Sequence, residues 1–220
     1  MIYDHISTDY DAFHELYVCG AELTEEGFPI LKPYIGAIPE MSADFVASKK
    51  VKVGDCRKTN VNFYLDDQKF SAIWTDFWKY ENYFKGFHSI CGFDFTIDQC
   101  SPLVLQKWNK YRNMALSSLC QRNGINVIPN VNVLSDAGDF IYDGLPTGSV
   151  LSCSTNGRTQ KKMYRTDFCK GFYQMCERLK PKHVIIIGRE VPELETDVPI
   201  TYFDTTSMKR QALQKENEVL

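Results

Sequence analysis

Asp94 closes an otherwise apolar run, ICGFDF, and a carboxylate at that place can serve in two ways. It can act as a general acid/base or ligand-binding group, or it can cap the free N–H groups of the turn that follows. Further along, Asn130, Asn132, Thr155 and Asn156 bring amides and a hydroxyl to the ends of two later apolar runs. Such groups suit oriented hydrogen bonding of a polar ligand, although Asn, and Gly157 beside it, also favour turns with no ligand at all. Directly after them come Arg158, Lys161, Lys162 and Arg165, the dense basic run of the chain, which reads either as a solvated loop or as a phosphate contact. Arg112 lies four residues after Trp108 at the border of a helical apolar stripe. A guanidinium there pairs with a neighbouring acid or carbonyl, or binds an anion.

Weaker candidates surround these. Asp98 begins a turn and suits a cap, and Asn109 and Asn113 suit structural hydrogen bonding on a helix. Asp66 and Asp67 leave a strand side by side, so alternation allows at most one of them to share a site with Asp94. Cys153 has no evident His partner and reads as a core thiol.

The elements that must position these residues form a regular series. Residues 89–133 read as one strand, helix, strand unit: an apolar strand around 90–95, a periodic helix over 103–122 stopped by Gly124, and the β-branched run Ile125, Val127, Ile128. Before it, VNFYL from Val61 is a strand, and Phe70, Ile73, Trp74, Phe77, Trp78 and Phe84 follow helical spacing through Lys85. After it come a strand at 149–154, a helix carrying Phe168, Phe172, Met175, Cys176 and Leu179, and a strand at 183–187 ended by Gly188. Residues 33–38 offer a first strand, 41–47 and 11–18 short helices, and 200–203 a last strand. The charged tail, 207–220, reads as a solvated helix or frayed end.

Strands alternating with helices predict an α/β fold of repeated βα units with a mainly parallel sheet, in a partial or irregular barrel-like form, or else an open parallel sheet. Polar groups at several successive strand ends favour the barrel-like form. With 220 residues, 44% hydrophobic, twelve Tyr and fourteen Phe, the chain has material for a single α/β domain over 1–220 with one continuous core.

Composition narrows the function classes. A net charge of −3 and a pI near 5.8 give no global drive toward nucleic acid or anionic membrane, so any polyanion site must be local. No apolar run reaches the ~20 residues of a membrane span. Eight cysteines without a C-x-x-C and four scattered histidines argue against structural zinc. The acidic start, MIYDHISTDYDAFHELY, lacks the pattern of a signal peptide, which leads to an expectation of reduced thiols and a cytoplasmic protein. No P-loop, dinucleotide fingerprint, G-x-S-x-G elbow or H-E-x-x-H is present, so no cofactor is specified.

Six short stretches in order, FDF, WNKYRNMAL, GINVIP, DFIYDG, SVLSCSTNG and FCKGF, resemble the domain-of-unknown-function family DUF4417, found in bacteria, archaea, phages and plasmids. The resemblance runs from about Val61 to Gly188. It departs from the family pattern at Thr96, where the family has Ser, and at Asn132, where it has Trp. The resemblance implies a shared fold and phage or plasmid company, with the cytoplasm of a bacterial host as the location if phage-encoded, and it implies no mechanism.

Two functions from different classes stand on these residues. In one, the chain is a small-ligand enzyme: Asp94 is the acid/base, Asn130, Asn132, Thr155 and Asn156 orient a polar substrate, and Arg112 or the basic run at Arg158 and Lys161 holds a phosphate, as on a nucleotide. In the other, the same edge binds nucleic acid or a host protein and no bond changes. Strand-end constellations of this kind serve small ligands more often than large surfaces, which favours the first.

Overall fold

In the computed structural model, which describes residue 11 and residues 13–218, strands and helices alternate along the chain. β1 (Met41–Asp44), β2 (Thr59–Asn62), β3 (Ser89–Cys91) and β4 (Val127–Ile128) form an all-parallel sheet in that order. β5 (Val150–Ser154), β6 (His183–Ile187) and β7 (Ile200–Phe203) form a second, likewise parallel and in chain order. Parallel neighbours need crossover connections. Helices supply them: α1 (Phe45–Ser48) after β1, α2 (Ser71–Thr75) and α3 (Trp78–Lys85) before β3, α4 (Leu103–Arg122) before β4 and α5 (Lys162–Leu179) before β6. α6 (Thr206–Glu218) follows β7.

The two sheets meet at one bridge, between Asn130 and Ser152. Two backbone bonds make it: Ser152 N–H donates to Pro129 O and Val131 N–H to Ser152 O, each at 2.8 Å. Pro129 has no N–H to extend a ladder, so the joint stays narrow. Strand order never reverses across this seam, as expected for a barrel-like α/β fold, but no ladder joins β7 to β1 among the described residues, so the barrel is not closed.

Alternation along the strands divides the core into an outer and an inner layer. Val61, Ile90 and Val127 point outward onto Phe70, Phe84, Leu116 and Leu119. Leu151, Cys153, Val184 and Ile186 pack against Phe168, Phe172 and Met175 of α5. Burying each such large side chain contributes about 1.5–3 kcal/mol. On the inner face, Tyr64, Cys91, Ile128, Val150, Ile185 and Ile187 converge on Tyr34. All eight cysteines are free thiols, and no described helix is long and apolar enough to cross a membrane.

Four expectations need correction. Residues 33–38 form no strand: Tyr34 binds the edge of β5, its N–H donating to Ser149 Oγ and its carbonyl accepting from Val150 N–H, so the apolar character serves to plug the interior. The first strand is instead β1, and the helix expected at 41–47 shrinks to α1, capped by Asp44 Oδ1, which accepts from Ala47 N–H at 2.7 Å. The long aromatic helix breaks at Asp76, whose φ of −152° and ψ of 82° are far from helical, leaving Trp78 exposed while Phe77 is buried. Of the helix expected over 11–18, only a 3₁₀ turn at Glu15–Val18 is described.

Candidate functional site

Asp94 reaches the interior because β3 breaks its alternation. Ile90 points outward and Cys91 inward, yet Phe93 and Phe95 both pack in the outer cluster with Ile90. Strict alternation would have turned Asp94 outward with Ile90. The reset occurs at Gly92, where any Cβ would come within 2.8 Å of Asn130 N. Only glycine lets the two backbones approach so closely.

Once inside, Asp94 is met by the segment after β4. Asn130 and Asn132, two residues apart and hence on one face, both donate from Nδ2 to Asp94 Oδ1 at 2.9 Å. Asn130 Nδ2 also donates to Phe93 O at 3.0 Å, and its Oδ1 accepts from the buried Tyr64 hydroxyl at 3.0 Å. Hydrogen bonds on both ends of the amide fix its orientation. Asp94 Oδ2 has no partner among the described residues and is not sealed in the interior; it opens on a cavity of about 340 Å³. The same cavity is lined by Tyr64, Asp66, Thr96, Ser154, Asn156 and Arg158.

Burial lifts the Asp94 carboxyl from its usual range to about 6. The two amide bonds and the Arg158 charge pull it down, and the Asp67 charge adds to the lift. Burial is the dominant cause, as for carboxyls that work as acids near neutral pH.

The second sheet supplies the opposite wall. From β5, Ser154 and Asn156 continue the inward alternation of Ser152, and Asn156 Nδ2 donates to Tyr64 O at 3.0 Å. Arg158 Nη1 donates to Val133 O at 2.6 Å and lies 3.6 Å from Asp167 Oδ2. Burial lowers the guanidinium pKa somewhat, but the group stays a cation.

The structure brings together Asp94, Asn130, Asn132, Asn156 and Arg158, and it separates the other three proposed site residues. Thr155 has the opposite parity to Asn156: it is buried, and its hydroxyl donates to Arg189 O at 2.9 Å. Arg112 lies on α4 and does not line the cavity: its guanidinium sits 3.8 Å over the Phe95 ring and bonds to Asn109 Oδ1, while its buried Nε has no hydrogen-bond partner among the described residues. Lys161 is exposed at the start of α5, its ammonium 5.5 Å over the Tyr164 ring, and does not line the cavity. Asp98 caps its turn as expected, accepting from Cys100 N–H at 2.9 Å. Asp67 holds Thr96 through its N–H and hydroxyl, while Asp66 is the member of the pair that lines the cavity.

Sequence reasoning missed Tyr64, because a tyrosine in the run VNFYL looks like core. Its position two residues after Asn62, at the same strand end, was the available signal. Among the described residues no cluster of three or more metal-ligating side chains stands ready to hold an ion.

Comparison with known proteins places the chain in a family. The model for the domain of unknown function DUF4417 matches residues 22–204, a longer stretch at both ends than the motifs span. The chain is 28% identical over 152 residues to the Gene 1 protein of Mycobacterium phage L5, covering 66% of each chain. It is 26% identical over 130 residues to the Gene 1 protein of Mycobacterium phage D29, covering 59% of this chain and 48% of that one. The chain thus covers less than two thirds of the length of either relative, and no solved structure matches it significantly. The match over most of its length shows that the chain belongs to the DUF4417 family.

Proposed function

We propose that the chain is a small-ligand enzyme that exchanges a proton with a polar, phosphate-bearing substrate in the Asp94 cavity. The observation that carries this reading is the state of Asp94: one carboxyl oxygen is held by two amides, and the other faces a cavity. Because Oδ1 already accepts two N–H bonds, the acid proton belongs on Oδ2, the oxygen a substrate can reach. A carboxyl titrating at about 6 exchanges that proton near neutral pH. Asn156 and Ser154 offer polar contacts on the facing wall, and Arg158 offers a charge for a phosphate.

The exposed basic residues Lys161 and Lys162, outside the cavity, favour the second reading, a surface that binds nucleic acid without chemistry. Thermal shift with nucleotides and sugar phosphates, on wild type and Asp94→Asn, separates the two. The enzyme reading expects a stabilising ligand whose effect drops at least tenfold in affinity in Asp94→Asn and in Arg158→Ala. Ligands that stabilise all three proteins equally would refute it, and loss of binding only in a Lys161→Ala, Lys162→Ala double variant would favour the surface reading.

A further inference from the structure

A second cavity, of about 430 Å³, adjoins the Asp94 cavity and shares with it the wall of Tyr64, Leu65, Asp66 and Asn156. Its far side is formed by α6 and the end of β1. Both volumes fall in the lower range of small-molecule sites, so each lobe suits about one nucleotide-sized unit.

The charges lining the second lobe are unequally occupied. Asp44 accepts from Ala47 N–H at one oxygen and from Thr206 Oγ1 at the other. Asp66 is paired with Lys69 at 2.8 Å. The hydroxyls of Thr205 and Ser207 bond to each other at 2.9 Å. Arg210 alone in this wall carries a charge with no hydrogen bond or ion pair to a described residue. The first lobe also presents a guanidinium, Arg158, across from Asp94. Each of the two adjoining cavities is thus lined by one guanidinium group, with Tyr64, Leu65, Asp66 and Asn156 common to both.

Building on the proposed function, we infer that the ligand spans both lobes and sets one anionic group at Arg158 and another at Arg210, as the terminal phosphate and the internucleotide phosphodiester of a 5′-phosphorylated dinucleotide would be. The shared Tyr64–Asp66 wall then lies between the two anionic groups, and Asp94 meets the part held in the first lobe. Forked guanidinium donors match phosphate oxygens, which a lone ammonium does less well.

Isothermal titration of wild type, Arg210→Ala and Arg158→Ala with thymidine 5′-monophosphate and with 5′-phosphorylated dithymidine tests this. Wild type is expected to bind the dinucleotide at least tenfold more tightly than the mononucleotide. Arg210→Ala, exposed and unbonded and so harmless to folding, is expected to erase that preference while leaving the mononucleotide unaffected. Equal binding of the two probes by wild type would overturn the inference, as would a preference that survives in Arg210→Ala or a failure of either probe to bind. A mononucleotide that binds wild type but not Arg158→Ala, with no gain for the dinucleotide, would sink the two-lobed ligand and leave the Asp94 reading standing.

Discussion

The Tyr64 hydroxyl donates to Asn130 Oδ1 at 3.0 Å, and this bond decides that the Asn130 amide turns its N–H groups toward Asp94. Removing it in Tyr64→Phe leaves a buried carbonyl oxygen unpaired, at a cost of about 1–3 kcal/mol. The amide then loses its anchor, Asp94 loses a firm donor, and its carboxyl is expected to titrate higher than in wild type. An NMR titration of the Asp94 carboxyl carbon measures this directly. An unchanged titration in Tyr64→Phe would show that Asn130 is oriented by Phe93 O alone.

Asp94 also predicts a pH dependence of stability. Its carboxyl titrates at about 6 when folded, above its ordinary 3.8, so the folded protein holds this proton more tightly than the unfolded chain does. The contribution is therefore complete below about pH 4, is lost as pH rises toward 6, and stays lost above; the swing is up to about 3 kcal/mol. Asp94→Asn removes it. Urea unfolding is expected to find Asp94→Asn more stable than wild type at pH 7.5, with the gap closing below pH 4. A gap independent of pH would mean that Asp94 ionises normally.

Thr155 and Gly188 form a structural contact away from the cavity. Gly188 has φ 131°, and a Cβ there would meet Thr155 Oγ1 at 2.3 Å. Gly188→Ala is expected to destabilise the protein by about 2 kcal/mol or more through strain and overlap. Thr155→Val breaks the bond to Arg189 O and is expected to cost about 1–2 kcal/mol. Calorimetric unfolding checks both. Ligand affinity should be untouched in Thr155→Val, and a tenfold loss there would return Thr155 to the site.

The strands from β2 onward were legible because β-branched and apolar runs bounded by Gly and Pro carry their own signal. β1 was not: in MSAD, Ser42 and Asp44 face a polar interior, so no apolar pattern marks the strand. The break at Asp76 was equally hidden, since Phe70, Ile73, Trp74 and Phe77 keep helical spacing across it. At the site, Asn130 and Asn132 were legible as amides at the end of an apolar run, and a period of two puts them on one face. Applied to Thr155 and Asn156 it would have excluded one of them, as it did for Asp66 and Asp67. Asp94 itself points inward only through the irregularity at Gly92, which depends on how near another backbone passes and is written nowhere in local sequence.

The narrow joint between the sheets acquires a mechanical meaning from what sits on it. Asp94, Asn130 and Asn132 extend from the first sheet and Asn156 and Arg158 from the second, while two backbone bonds at Asn130 and Ser152 span the space between. A molecule bound in the cavity would act as a rivet, adding cross-links to a joint that the backbone spans with a single bridge. Occupancy would then add to the bonds that already tie the two halves across the midline, from Asn156 to Tyr64 O and from Arg158 to Val133 O.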